Sequence, residues 1–133
     1  MRRAVASDFP GFFFRISPNS VGFGAGLYAF DPEQLVRYRA AVVDAKLSRS
    51  LRAAVDKARK AGPYELSEPN LKRVPPGPSA EHRNADFLRY KQLGIMGEFS
   101  HPKALFDDGA VPYVVERLQE LRPSQAWLSK ALE

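Results

Sequence analysis

The fold is decided by residues 9–28, which read FPGFFFRISPNSVGFGAGLY. The run 9–16 is aromatic and β-branched, the cluster 17–20 is rich in turn-forming residues, and a second apolar run covers 21–28. Two such runs on either side of a turn cluster are typical of a β-hairpin. The sequence therefore predicts two adjacent antiparallel strands.

The second of these strands alternates glycine with apolar residues. Because side chains alternate along a strand, one of its faces is apolar and the other is bare backbone. The apolar face holds Val21, Phe23, Ala25 and Leu27, and the bare face holds Gly22, Gly24 and Gly26. Glycine inside a strand usually marks a place where a ring, a helix or a ligand approaches the main chain. Two interpretations stay open, namely packing under a neighbouring aromatic ring and a ligand surface, and the spacing lacks the third glycine of a dinucleotide fingerprint.

An amphipathic helix is predicted over about 32–43. Asp31 is placed to cap it, with Pro32 at the first helical position and Gln34 positioned for a capping box. Its apolar arc consists of Leu35, Val36, Tyr38, Val42 and Val43. Arg39 projects near the middle of that arc, so it is either one half of a buried ion pair or a charge that lines a cleft.

The next predicted helix, 46–60, holds the excess of positive charge. The chain has 20 Lys plus Arg against 15 Asp plus Glu, a formal net charge of +5, and this segment alone carries +5. Its apolar face consists of Leu47, Leu51, Ala54, Val55 and Ala58. The basic face is either a solvated helix exterior or a nucleic-acid surface, and no aromatic residue is interleaved on it for base stacking.

The remainder of the chain adds one strand and further helices. Ser79 is expected to cap a helix after the proline-rich loop 75–78, a strand is expected over 93–99, and a longer helix over about 111–121. Elements in this order, without βαβ repetition, predict an α+β class. The expected architecture is a small antiparallel sheet, formed by the N-terminal hairpin and the later strand, packed with four or five helices in a single domain, 1–133.

Composition excludes several functions. The chain has no cysteine, and its only histidines are His82 and His101. Disulfide scaffolds, thiol catalysis and Cys-based zinc sites are therefore excluded, and no metal site is expected. No signature of a nucleophilic triad, paired catalytic carboxylates or a P-loop is found, so the sequence identifies neither a reaction nor a cofactor. No apolar run approaches the ~18 residues of a membrane span, so no membrane partner and a cytoplasmic location are expected.

The candidate site is a set of cations that accompanies the glycine face. Its members are Arg15, Arg39, Lys72, Arg73, His82, Arg89 and Lys91. Guanidinium and ammonium donors suit phosphate or carboxylate, and a helix starting after Ser79 would add backbone N–H groups. These residues predict a pocket for an anionic ligand. The alternative is that the cations form ion pairs with nearby acidic residues, which are Glu65, Glu68, Glu81, Asp86 and Glu98.

An ordered set of short motifs runs from Phe12 to the C-terminus. The motifs are FRISP (14–18), GFGAGLY (22–28), YR (38–39), LKR (71–73), PG (76–77), His82, LRYK (88–91), and Pro123 with WL (127–128) and AL (131–132). In this order they resemble the bacterial and fungal family labelled domain of unknown function twenty-four sixty-one. That family carries no established reaction, substrate or cofactor, so the resemblance narrows the fold more than the function.

Two departures from the family pattern matter. Family members usually have a helical region ahead of the hairpin, whereas only 1–11 precede the motifs here, so the chain resembles the C-terminal part of the family domain. Apolar surface left by a missing region predicts a homo-oligomer or a partner chain that covers it. The second departure is Pro75-Pro76-Gly77 in place of Pro-Arg-Gly, with Arg83 instead of a proline after His82.

Three functions stay open at this point. A module that binds an anionic or phosphate ligand, without a catalytic motif of its own, fits the cations best. One alternative is part of an enzyme that acts on a phosphorylated or nucleic-acid substrate, which would need carboxylates or metal ligands beside the cations. The other is nucleic-acid binding through 46–60, which would give a steep salt dependence.

Overall fold

The structure is a computed structural model that describes residues 10–133. Its centre is a four-stranded sheet in the order β1-β2-β4-β3, in which every neighbouring pair is antiparallel. The strands are β1 (Gly11–Ile16), β2 (Ser20–Leu27), β3 (Glu65–Leu66) and β4 (Leu93–Ser100). The predicted hairpin and the later strand are therefore confirmed.

Four α-helices accompany the sheet in the described part of the chain. They are α1 (Pro32–Val43), α2 (Ala45–Ala61), α3 (Ala110–Glu120) and α4 (Arg122–Ala131). The expected capping box of α1 is present, because Asp31 accepts from the Gln34 backbone N–H and the Gln34 side chain accepts from the Asp31 N–H. The α+β class is confirmed.

The prediction of a helix after Ser79 is wrong. In its place the structure has two single 3₁₀ turns, Pro78–Glu81 and Ala85–Arg89, and Ser79 caps neither of them. The backbone of His82 is extended (φ −68°, ψ 145°) and separates the two turns, and the Asn84 N–H donates to the His82 side chain instead of to a helical carbonyl. The extra backbone donors expected from a helix N-terminus are therefore not provided at this place.

Two apolar clusters form the core. One joins α1, α2 and α4 around Tyr38 and Trp127, and the other packs the inner face of the sheet against α3. The inner face holds the four predicted apolar residues of β2, all of them buried. Val36, Val111 and Val115 are exposed, although the helical patterns place them on apolar stripes. The helices bury a narrower stripe than their hydrophobic arcs suggest.

The opposite face of the sheet carries the predicted glycines. The register places Gly22, Gly24 and Gly26 opposite Arg15, Phe13 and Gly11 of β1. A Cβ on Gly24 would overlap the Phe13 ring and lie 2.9 Å from the Met96 side chain. Packing under an aromatic ring is thus the correct interpretation for Gly24. Among the described helices, none is long and apolar enough to cross a membrane.

Because two tyrosines are buried, we expect the protein to lose stability at alkaline pH. Burial raises the pKa of Tyr38, whose hydroxyl donates to the Phe87 carbonyl at 2.8 Å, and burial together with Glu120 raises the pKa of Tyr64. The unfolded chain releases these protons near pH 10, before the folded chain does. The contribution of these two tyrosines to the free energy of unfolding should therefore be constant below about pH 9 and fall above about pH 10, by up to about 1.4 kcal/mol per pH unit for each tyrosine.

Urea unfolding at pH 8 and pH 11 measures this loss. Tyr38→Phe and Tyr64→Phe should each lower stability at pH 8, because a hydrogen bond is removed, and each should reduce the loss between the two pH values. Tyr28 is 83% exposed, so Tyr28→Phe is the control and should leave the loss unchanged. An equal loss in all the variants would contradict the assignment to the buried tyrosines.

Candidate functional site

Of the five acidic residues expected to neutralise the candidate cations, two bind arginines outside the candidate set. Asp86 pairs with Arg52 at 3.2 Å, and Glu65 pairs with Arg59 at 3.1 Å. Both of these arginines lie on α2. On the glycine face Glu98 binds Arg15 at 2.5 Å. The ion-pair alternative therefore holds for Arg15 and is wrong for the other candidate cations, which form no ion pair among residues 10–133.

Four of these cations lie on two segments that hydrogen-bond to each other. The Leu71 N–H donates to the Arg89 carbonyl at 2.8 Å, and Arg89 Nε donates to the Leu71 carbonyl at 3.0 Å. The Lys91 N–H donates to Asn70 Oδ1 at 2.7 Å. Lys72 and Arg73 follow Leu71 directly and are exposed. The structure thus brings Lys72, Arg73, Arg89 and Lys91, referred to below as the loop cations, onto adjoining backbone.

Arg39 lies on α1 with its side chain partly buried. Its Nε is fully buried and has no hydrogen-bond partner within the described chain. The buried ion pair that the sequence left open for Arg39 is therefore absent there. The segment that holds Lys91 reaches the start of α1, since the Phe30 N–H donates to the Lys91 carbonyl at 3.0 Å. Five cavities of the described residues, with volumes of about 10 to 740 Å³, are lined neither by Arg39 nor by the loop cations.

The His82 ring is oriented by the backbone N–H of Asn84. Its Nδ1 accepts the Asn84 N–H at 3.0 Å, so in the neutral ring the proton sits on Nε2. The second histidine, His101, contacts the hairpin turn, where its Nε2 lies 2.7 Å from the Ser17 carbonyl oxygen and 2.9 Å from the Ser20 carbonyl oxygen. Within residues 10–133, no group of three or more His, Cys, Asp or Glu side chains is placed to hold a metal ion.

Asn84 is an important residue that the sequence did not indicate. It is 1% exposed, and its Nδ2 donates to the Ser48 carbonyl of α2 at 2.7 Å. Its Oδ1 accepts from the Arg52 guanidinium at 2.9 Å. Asn84 therefore fixes the segment that carries His82 to α2. A single asparagine in a loop has no periodicity, so no pattern in the sequence could have indicated it.

A cavity of about 260 Å³ lies between α2 and the segments 65–69 and 86–90. Arg52 and Arg59 line it together with the carboxylates that they bind, and Glu68 adds a further negative charge. Burial raises the pKa of Tyr90 on its wall, so that hydroxyl is neutral at pH 7. Because its arginines are already paired, this cavity is poorly suited to an anion.

A larger cavity of about 740 Å³ opens on the glycine face. Of the candidate residues only Gly26 lines it, beside the aromatic side chains of Phe12, Phe13 and Tyr28. Arg15 and the glycines share one face of the sheet, whereas the loop cations lie on the segments 71–73 and 89–91. The structure therefore separates the glycine face from the loop cations, and Arg39 on α1 and His82 belong to neither of these two groups.

The class that these features define is a small α+β protein with one apolar and one glycine-lined sheet face. The chain belongs to the family described as conserved hypothetical protein (DUF2461), whose model matches residues 1–127. The family resemblance is therefore confirmed, and the match also takes in the residues ahead of Phe12. No curated protein and no solved structure gives a significant match.

Proposed function

We propose that this protein is a binding module for a small anionic ligand, a phosphate ester or a carboxylate, and that it has no catalytic motif of its own. The observation that carries the proposal is the set of unpaired cations. Arg39 and the loop cations form no ion pair within residues 10–133, although acidic residues lie nearby in the sequence. Three of those five carboxylates are bound elsewhere, Glu98 by Arg15 and Asp86 and Glu65 by arginines of α2.

The chemistry of Arg39 favours an anion. A buried donor without a partner costs about 1–3 kcal/mol, and a ligand oxygen would remove that cost. A guanidinium also offers a planar pair of donors that matches phosphate and carboxylate oxygens. Arg39 Nε is such a buried donor on the described chain.

The loop cations support the same conclusion. Arg89 uses Nε to bind the Leu71 carbonyl, so its two terminal nitrogens keep their donors while the side chain is held in place. His82 would present an Nε2–H, because its Nδ1 already accepts from the backbone. Lys72 and Arg73 are exposed and add positive charge that attracts an anion from solution.

The nucleic-acid and enzyme alternatives find less support. Two of the basic side chains of α2 are engaged, because Arg52 binds Asn84 and Asp86 and Arg59 binds Glu65. That engagement reduces the charge available to a phosphate backbone. An enzyme would need free carboxylates beside the cations, and those nearest in the sequence are mostly bound by arginine.

Titration with inorganic pyrophosphate, followed by calorimetry, tests the proposal. Arg39→Gln should weaken binding about tenfold or more, because a charge-assisted hydrogen bond contributes about 1.5–3 kcal/mol. The double variant Lys72→Gln/Arg73→Gln should also weaken pyrophosphate binding, and it should leave the fold unchanged because both side chains are exposed. Arg49→Gln is the matched control, since Arg49 is an exposed arginine of α2 with no ion pair to a described residue.

Other outcomes would contradict the proposal. Equal weakening by Arg39→Gln and Arg49→Gln would show diffuse attraction to a basic protein. Binding of a single-stranded DNA oligonucleotide that falls steeply with salt, and that is lost in Arg49→Gln but kept in Arg39→Gln, would favour the nucleic-acid alternative. Absence of pyrophosphate and phosphate binding at millimolar concentration would remove the anion site.

A further inference from the structure

The edge strand β1 is unusually apolar. It pairs with β2 only, since it stands at the end of the described sheet. Phe12, Phe13, Phe14 and Ile16 are 42%, 44%, 50% and 62% exposed. Edge strands are normally protected by charges, prolines or bulges. The only charge on this strand is Arg15, which is bound to Glu98. Within residues 10–133, the strand therefore offers an unprotected pairing edge.

The free backbone groups of β1 can be assigned. The Ser17 N–H donates to the Ser20 carbonyl at 2.8 Å, so Ser17 and Ser20 form a hydrogen-bonded pair at the turn. Hydrogen-bonded and non-hydrogen-bonded pairs alternate along an antiparallel ladder. Residues 11, 13 and 15 therefore direct their N–H and C=O groups toward β2. The outward groups belong to Phe12, Phe14 and Ile16.

We propose that β1 pairs antiparallel with β1 of a second copy, about a two-fold axis at Phe14. This register places Phe14 opposite Phe14 of the second copy and Phe12 opposite its Ile16, so all three outward-facing residues form hydrogen-bonded pairs. A two-fold axis at Phe13 would place Ile16 opposite Pro10, which lacks an N–H and whose carbonyl already accepts from Gln125 at 3.0 Å. The two four-stranded sheets become one continuous sheet.

The side chains also suit this register. On the helix side, aromatic and β-branched residues face each other, a favourable cross-strand combination. On the glycine side, Phe13 faces Arg15 of the second copy, which allows a cation–π contact, and no like charges lie opposite each other. The four exposed side chains present roughly 400 Å² per copy. Full burial of these side chains and of the backbone edge in both copies would remove about 1,000 Å², the lower limit for a specific interface.

The inference does not depend on anion binding. Arg39 and the loop cations lie on α1 and on the segments 70–73 and 89–91, and none of them belongs to β1. A dimer through β1 leaves them in place. Loss of the dimer and loss of pyrophosphate binding are therefore separate results, measured by different variants.

Sedimentation velocity over a range of protein concentrations tests the dimer. The protein should form a dimer at tens of micromolar. Phe14→Lys should weaken dimerisation at least tenfold, because it sets two positive charges opposite each other at the axis. Ile16→Lys should do the same and is the safer variant, since Phe14 also stacks on Phe23 at a centroid distance of 6.0 Å. Val36→Lys, on an exposed face of α1, should leave the dimer unchanged.

Disulfide trapping tests the register, since the chain has no cysteine of its own. Phe14→Cys should form a covalent dimer readily, because opposed residues of a hydrogen-bonded pair lie about 5.5 Å apart between Cα atoms. Phe13→Cys should not, because its two copies lie diagonally, about 7–8 Å apart. A monomer at high concentration, equal effects of Ile16→Lys and Val36→Lys, or faster trapping at Phe13 would overturn the proposal.

Discussion

Gly26→Ala should lower the free energy of unfolding by about 4 kcal/mol or more. Gly26 has a φ of 146°, a conformation that other residues adopt at a cost of about 1–3 kcal/mol. A Cβ there would also overlap the Leu93 carbonyl oxygen and lie 2.8 Å from the Gly94 Cα. Both obstacles are backbone atoms of β4, which cannot move away without breaking its ladder with β2. The free-energy cost of the positive φ and the cost of the steric overlap therefore add to each other in this variant.

The same face of β2 supplies the control. A Cβ on Gly22 would meet its nearest atom, Glu98 Oε1, at an ordinary 3.6 Å, and Gly22 has no positive φ. Gly22→Ala should therefore change stability by less than about 1 kcal/mol, and an increase is reasonable because alanine restricts the unfolded chain more than glycine does. Urea unfolding of both variants measures the difference. Equal costs at the two positions would show that the φ of Gly26 and the Leu93 approach are not limiting.

The hairpin was predictable because its signals are local. Alternation along β2 assigned both faces correctly, and the turn cluster between the strands fixed their antiparallel order. What each glycine meets was not predictable, because the pattern of β2 alone fixes neither the register with β1 nor the identity of the strand on its other side. Phe13 approaches Gly24 from β1, whereas β4 approaches Gly26. A single-strand pattern indicates that something comes close but cannot say what.

Which carboxylate each cation binds was harder to predict, because ion pairs also depend on how distant segments pack together. The segment 61–100 carries balanced charges, which suggested that its cations and carboxylates bind one another. In the fold, α2 lies beside this segment, and its arginines bind Glu65 and Asp86 instead. The unusual position of Arg39 within an apolar arc was evident from the sequence. The absence of a described partner became evident only from the packing.

Asn84→Ala should lower the free energy of unfolding by about 3 kcal/mol. The substitution removes the donor to the carbonyl of Ser48, a residue that is 3% exposed, and it removes the acceptor for Arg52, whose side chain is 40% exposed. A buried polar group that loses its partner costs about 1–3 kcal/mol, more when it is charged. Arg52 keeps Asp86 and its position 4.6 Å above the Phe87 ring, which limits the loss.

Asn70→Ala is the matched control for this prediction. Asn70 is exposed and accepts one hydrogen bond, from the Lys91 N–H at 2.7 Å, which water can replace. It should therefore cost about 1 kcal/mol or less. The His82 ring should keep its orientation in Asn84→Ala, because its Nδ1 accepts from the backbone N–H of residue 84 rather than from the side chain. If Asn84→Ala costs no more than Asn70→Ala in urea unfolding, then Asn84 does not hold its segment to α2, and Asp86 alone anchors Arg52.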